Sequence, residues 1–199
     1  MADDKRGREK QARDAERRRQ ERDIATELDR GEESEPPVEA AALDDVEAAL
    51  ESVRFPASGA DVVAAIGDRT IESDGERYAI EALVPETDRE AFDSPAAVRV
   101  TVRRPTVASA MKRIVESIET RQDAEFSWSQ RKAYETTFRA LGSIDADDDD
   151  EGIAVIRDWV VDRVRETGDL PSSRAVRREA AEFCRTNGYQ IRADEWLGI

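Results

Sequence analysis

Apolar residues in this chain recur mostly at helical spacing. Leu43, Val46, Leu50 and Val53 stand at i, i+3, i+7 and i+10. That spacing predicts a helix with Pro37 in its first turn, running to about Ser52. Phe55-Pro56 breaks it. Ser58 and Asp61 have the spacing of a capping box ahead of Val62, Val63 and Ile66, and Gly67 closes this short helix. Val107, Met111, Ile114 and Ile118 mark the strongest helix, opened by Pro105-Thr106 and running through Glu119. Tyr134, Phe138 and Leu141 share one face of a helix from about Ser129 to Leu141 that closes at Gly142. Ile153, Ile156, Val160 and Val164 face inward on the next helix, which ends at Gly168. Pro171 starts a last helix, which Asn187-Gly188 stops near Thr186.

Strand spacing is confined to the middle of the chain. Ile71, Tyr78 and Ile80 flank Asp74-Gly75, a pair that favours a primed two-residue turn and predicts a hairpin. Val98, Val100 and Val102 alternate with Arg99, Thr101 and Arg103, which predicts a third strand. Glu81 to Val84 is ambiguous. The expected fold is α+β: a small three-stranded antiparallel sheet packed by helices, a helical C-terminal region and a charged N-terminal arm. The corresponding divisions are 1–37, 38–121 and 122–199.

Charge changes the picture more than composition does. The 199 residues carry 31 basic and 46 acidic groups, a net charge of −15. Lys5, Lys10, Lys112 and Lys132 are the only lysines. The acidic excess runs along most of the chain, with small apolar residues beside it. At roughly 1 M salt the Debye length is about 3 Å, so such charges barely repel; in dilute buffer they repel over roughly 10 Å and loosen the fold. This character resembles that of proteins from extremely halophilic archaea. The ends are the least acidic parts: residues 1–23 hold nine bases against seven acids, whereas residues 24–52 hold one base against ten acids. Gly31 to Pro37 is an acidic linker stiffened by two prolines. No 18-residue apolar run exists, so no membrane span is expected. Ala2 through Asp23 is almost wholly charged, so no secretory leader is expected and the cytoplasm is the expected location.

Several chemistries lack their side chains. Histidine is absent, which excludes imidazole-based catalysis and His-containing zinc sites. Cys184, the one cysteine, cannot build a thiolate cluster alone and falls beside the inward face of the last helix as a small core residue. Asp145, Asp147 and Asp149 begin like a calcium loop, but Asp150 stands at its glycine position and Ile156 at its glutamate position. Neither phosphate-loop pattern occurs. The expectation is a non-enzymatic protein without cofactor, metal or small-molecule substrate.

Two features could meet a partner. The N-terminal run has Arg17, Arg18 and Arg19 at its centre, and it reads either as a basic arm for phosphates or as a solvated charged helix, since acids interleave with its bases. On the last helix, Arg174, Arg177, Arg178 and Arg185 fall within an arc of roughly 100° at 3.6 residues per turn. Val176, Ala180 and Phe183 take the other side, with Glu179 and Glu182 placed apart from the arginines. Such a face suits phosphate contact; it also suits simple solvation, with Arg178 and Glu182 paired at i, i+4. The rival interaction reading is a protein–protein adaptor whose N-terminal helix orders on a partner while Trp196, Leu197 and Ile199 dock in a groove.

Two local patterns resemble known families. Gly168-Asp-Leu-Pro-Ser-Ser-Arg174 resembles the turn of gluconate-repressor-type winged-helix regulators, which implies DNA contact at Ser172 and Arg174. The third, recognition helix of those regulators has no counterpart here. Val53-Arg-Phe-Pro-Ala-Ser58, Ile66-Gly-Asp-Arg69, the Asp74-Gly75 turn and Phe92-Asp-Ser-Pro95 resemble an uncharacterised family of small acidic haloarchaeal proteins. That resemblance spans about residues 38–120 and implies a salt-adapted cytoplasmic origin, with no catalytic residues to transfer.

Overall fold

Side chains from Val38 to Cys184 gather into two apolar cores in the computed structural model, which describes residues 37–88, 90–119, 126–144 and 150–189. Helix α1 spans Ala40–Ala49 and buries Leu43 and Val46, with Leu50 just past its end fully buried. It starts three residues beyond Pro37, not at it. Val38 is 1% exposed and bridges antiparallel to Ser73, so its burial holds the chain extended where a first helical turn was expected.

Strand β1 (Ala57–Ser58) leads directly into helix α2 (Gly59–Ile66). The expected capping box is present: the Ser58 hydroxyl accepts from the Asp61 N–H at 3.1 Å, and the Asp61 carboxylate accepts from the Ser58 N–H at 2.9 Å. The Ser58 backbone N–H first, and then its hydroxyl, which donates to the same carboxylate at 2.8 Å, hold the Asp61 carboxyl below the usual aspartate range. The remaining N–H groups of this helix end go to a loop: Gly59 donates to Glu90 O at 2.9 Å and Ala60 to Thr87 O at 3.3 Å. The approach is so close that a Cβ on Gly59 would lie 2.0 Å from the Pro85 carbonyl oxygen.

Strands β2 (Thr70–Ser73) and β3 (Glu76–Ala79) form the expected hairpin, with Ile71 opposite Tyr78. Asp74 and Gly75 both take positive φ, 52° and 81°, as a type I′ turn demands. The ambiguous stretch after it is a 3₁₀ turn, Ile80–Ala82, that buries Ile80 and, beyond it, Leu83 and Val84. Strand β4 (Ala91–Phe92) pairs antiparallel with β1.

The third strand of the expected sheet is a helix. Residues Pro95–Val102 form α3, opened by Ser94, whose hydroxyl accepts from the Ala97 N–H at 3.3 Å, with Pro95 in the first turn. Valines two apart read equally as residues four apart, and here only Val98 and Val102 reach the core while Val100 stays half-buried. Among the described residues the β structure is therefore two separate two-stranded antiparallel pairs, not one three-stranded sheet. Two strands rarely stand alone in water, and helices support both pairs. Arg99 on α3 joins Asp44 and, at 3.3 Å, Glu47 on α1.

Helices α4 (Pro105–Glu119), α5 (Trp128–Leu141), α6 (Glu151–Thr167) and α7 (Ser173–Thr186) complete an α+β fold of seven α-helices among the described residues. All four apolar positions expected on α4 are buried. Its Ala108 belongs to the first core, with α1, α2 and α3. Val107, Ala110, Met111 and Ile114 belong to the second, with α5, α6 and α7.

Polar ties fasten the loop before β4 across this seam. Lys112 on α4 donates to Val84 O at 3.1 Å and pairs with Glu116 at 2.5 Å. Arg131 on α5 pairs with Glu90 and, at 3.2 Å, with Glu135. The Glu90 side chain is 10% exposed and its second oxygen is buried without a hydrogen bond. Burial therefore pushes its carboxyl above the usual glutamate range, against the opposing pull of Arg131. Stability tied to protonated Glu90 is accordingly complete below the ordinary glutamate range and is lost as pH rises through the raised value.

Gly59→Ala should cost about 2–3 kcal/mol, because backbone has to move to admit the new methyl, as read by urea denaturation. Arg131→Met should cost about 3 kcal/mol near neutral pH by leaving a buried carboxylate unpaired. That cost should shrink in acid, below the ordinary glutamate range, where Glu90 is already protonated; the same denaturation series in neutral and acidic buffer measures it.

Candidate functional site

Helix α7 is presented by its connection to α6 and by α5. Gly168, at φ 84°, ends α6, with its N–H on Val164 O at 2.9 Å. Three residues later the Pro171 carbonyl accepts two hydrogen bonds from α5, from the Tyr134 hydroxyl at 2.5 Å and Gln130 Nε2 at 2.9 Å. Ser172 then caps α7, its hydroxyl accepting from the Ala175 N–H at 3.3 Å. The helix accordingly begins at Ser173, with Pro171 outside it and not in its first turn. Val176, Ala180, Ala181 and Cys184 are buried on its inner side. Phe183 is only half-buried and meets the Tyr189 ring at 5.8 Å, while the Tyr189 N–H donates to Cys184 O.

The four arginines of the predicted arc share the helix but not one environment. Arg174 and Arg178 are exposed, one turn apart, and neither is ion-paired among the described residues. Arg177 sits at the edge of the packed side, half-buried, with Nε covered and without a hydrogen bond, so only its terminal nitrogens can reach a ligand. Arg185 is exposed but held: its Nη2 donates to Glu182 at 2.7 Å and its Nε to Ala181 O at 3.3 Å. Glu182 is thus beside the arginines, not apart from them, and it pairs with Arg185 instead of Arg178. Three residues along a helix bring two side chains as near as four do. Ser172 spends its hydroxyl on the cap, which gives it a structural task whatever else it contacts.

Other exposed arginines are scattered one to an element: Arg54 after α1, Arg69 before β2, Arg77 in β3 and Arg113 in α4. On α6, Arg157, Arg163 and Arg165 each meet a carboxylate of the same helix, Asp158, Glu166 and Asp162. Arg17, Arg18, Arg19, Trp196, Leu197 and Ile199 lie outside the described residues. Among those described, no group of three or more metal-ligating side chains converges, and no helix is long and apolar enough to cross a membrane.

Tyr134 and Gln130 position this face, yet the sequence pattern marks Tyr134 only as an apolar stripe residue. The available signal was its hydroxyl, since a tyrosine on an inward face needs an acceptor when buried. Burial, before any other influence, raises that phenol well above the ordinary tyrosine range, so it stays a donor.

Residues 37–114 match the model of a family of unknown function, DUF5789. The matched segment runs from Pro37 into α4 and leaves α5, α6 and α7 outside. No curated protein and no solved structure matches the chain. None of these comparisons supports the winged-helix likeness of Gly168 to Arg174 or a haloarchaeal origin.

Ser172→Ala should lower stability by about 1 kcal/mol through loss of the cap. Tyr134→Phe should cost a similar amount, about 1 kcal/mol, because Pro171 keeps only the Gln130 bond. Thermal unfolding followed by circular dichroism reads both.

Proposed function

We propose that this chain is a non-enzymatic binding protein of a halophilic archaeal cytoplasm that associates with nucleic acid through the exposed arginines of α7. The observation that carries the reading is the pair Arg174 and Arg178, exposed and without an ion-pair partner among the described residues. They stand about 6 Å apart along one helix, at 1.5 Å per residue. In a chain of net charge −15, nearby carboxylates are abundant, and two neighbouring guanidinium groups left to solvent are available to phosphate. Arginine suits that role through its planar fork of donors. The acidic surface suits concentrated salt, where screening removes its self-repulsion.

Support for sequence-independent phosphate binding is stronger than for base readout. The helix–turn–helix connection at Gly168 to Arg174 resembles that of winged-helix regulators, but the sequence pattern of their third, recognition helix has no counterpart here. Arg17 to Arg19 would serve as an auxiliary arm. A protein–protein adaptor remains the rival outcome of the test.

Binding of the full chain to a DNA duplex, followed by fluorescence anisotropy across a salt series, tests this. Affinity should fall steeply with salt. Arg174→Ala with Arg178→Ala should flatten the log–log slope by about 2, near 0.9 for each phosphate that is no longer neutralised. An unchanged slope in that variant overturns the reading, and affinity for a protein that survives molar salt establishes the adaptor instead.

A further inference from the structure

We infer that Glu182 is an intramolecular competitor for phosphate at Arg185, so that α7 grips nucleic acid with two arginines at rest and three once Arg185 changes partner. This rests on the nucleic-acid reading above. At 3.6 residues per turn, Arg174, Arg185 and Arg178 lie within about 40° of one another around the helix, and Glu182 borders them on the Arg178 side. The Arg185 guanidinium would extend the pair of free arginines by about 10 Å along the axis beyond Arg178.

What keeps it from doing so is local. Arg185 Nη2 lies 2.7 Å from Glu182 Oε2, and Nε is turned to the Ala181 carbonyl at 3.3 Å. Both side chains of the ion pair are well exposed, at 64% and 62%. An exposed pair of this kind shifts an equilibrium by a factor of about five at most. A phosphate, bearing charge and several acceptor oxygens, can therefore displace the carboxylate, and Arg185 is restrained but not sequestered. Glu179 lies on the same helix and pairs with no arginine among the described residues. It isolates the effect of negative charge from the effect of releasing Arg185.

The experiment uses the full chain and a DNA duplex of about 20 base pairs in the same anisotropy assay. Glu182→Gln should tighten binding about two- to fivefold at low salt and steepen the slope by about 0.9, the increment of one further phosphate. Combining Glu182→Gln with Arg185→Ala should abolish both changes, and Glu179→Gln should give a smaller gain with no change of slope. Equal effects from Glu182→Gln and Glu179→Gln overturn the inference, as does no response to Glu182→Gln. If binding depends on Arg174 and Arg178 while Glu182→Gln does nothing, this inference alone fails. If binding ignores Arg174 and Arg178, the nucleic-acid reading fails first.

Discussion

Helix α4 has to satisfy two apolar surfaces at once, and the arrangement of every other element depends on that demand. Ala108 closes the core built by α1, α2 and α3, while Val107, Ala110, Met111 and Ile114 supply one wall of the core beneath α5, α6 and α7. A helix buried along one stripe can pack at many angles. One buried on two sides has far less freedom, and it orients the helices on either side of it. The small residues help, since Ala108 and Ala110 let neighbouring backbones come near.

Around that shared wall, the polar groups work in pairs across element boundaries. Lys112 reaches the carbonyl of Val84, Arg131 reaches Glu90, and Tyr134 with Gln130 reaches Pro171. In each case a long side chain on α4 or α5 secures an irregular segment whose own backbone groups are not all used in regular structure. Such bonds add little net energy but are costly to leave unmade, so they choose one loop conformation among several. The α6–α7 turn inherits its direction in this way, and with it the arginines of α7.

Much of this was legible along the chain because the governing signals are local. The serine cap at 58, the Asp74-Gly75 turn and the stripes of α4, α5 and α6 stand where their spacing predicts, whereas the cap at Ser172 begins the last helix past the Pro171 that was expected to start it. The failures share a cause. Val98 and Val102 satisfy period two and period four alike, and only the cap at Ser94 with Pro95 decides for helix. Val38 depends on a bridge to Ser73, 35 positions away, which no local window contains. At the candidate face, helical spacing put the four arginines on one helix. It could not say that Glu182 would turn toward Arg185 or that Arg177 would lie half under its neighbours, because rotamers and packing decide those.

The extent of the family match acquires a meaning from α4. Similarity to DUF5789 stops at residue 114, within this helix and at one of its most deeply buried side chains. The stretch that is matched and the stretch that is buried together thus end in different places. Any polypeptide consisting of the matched stretch alone would carry Met111 and Ile114 bare to solvent, and would need some other lid in place of the three helices that follow here. What those helices bring to the molecule is therefore double: a roof over the apolar side chains at the end of the matched segment, and, on the roof's outer side, the arginines of α7.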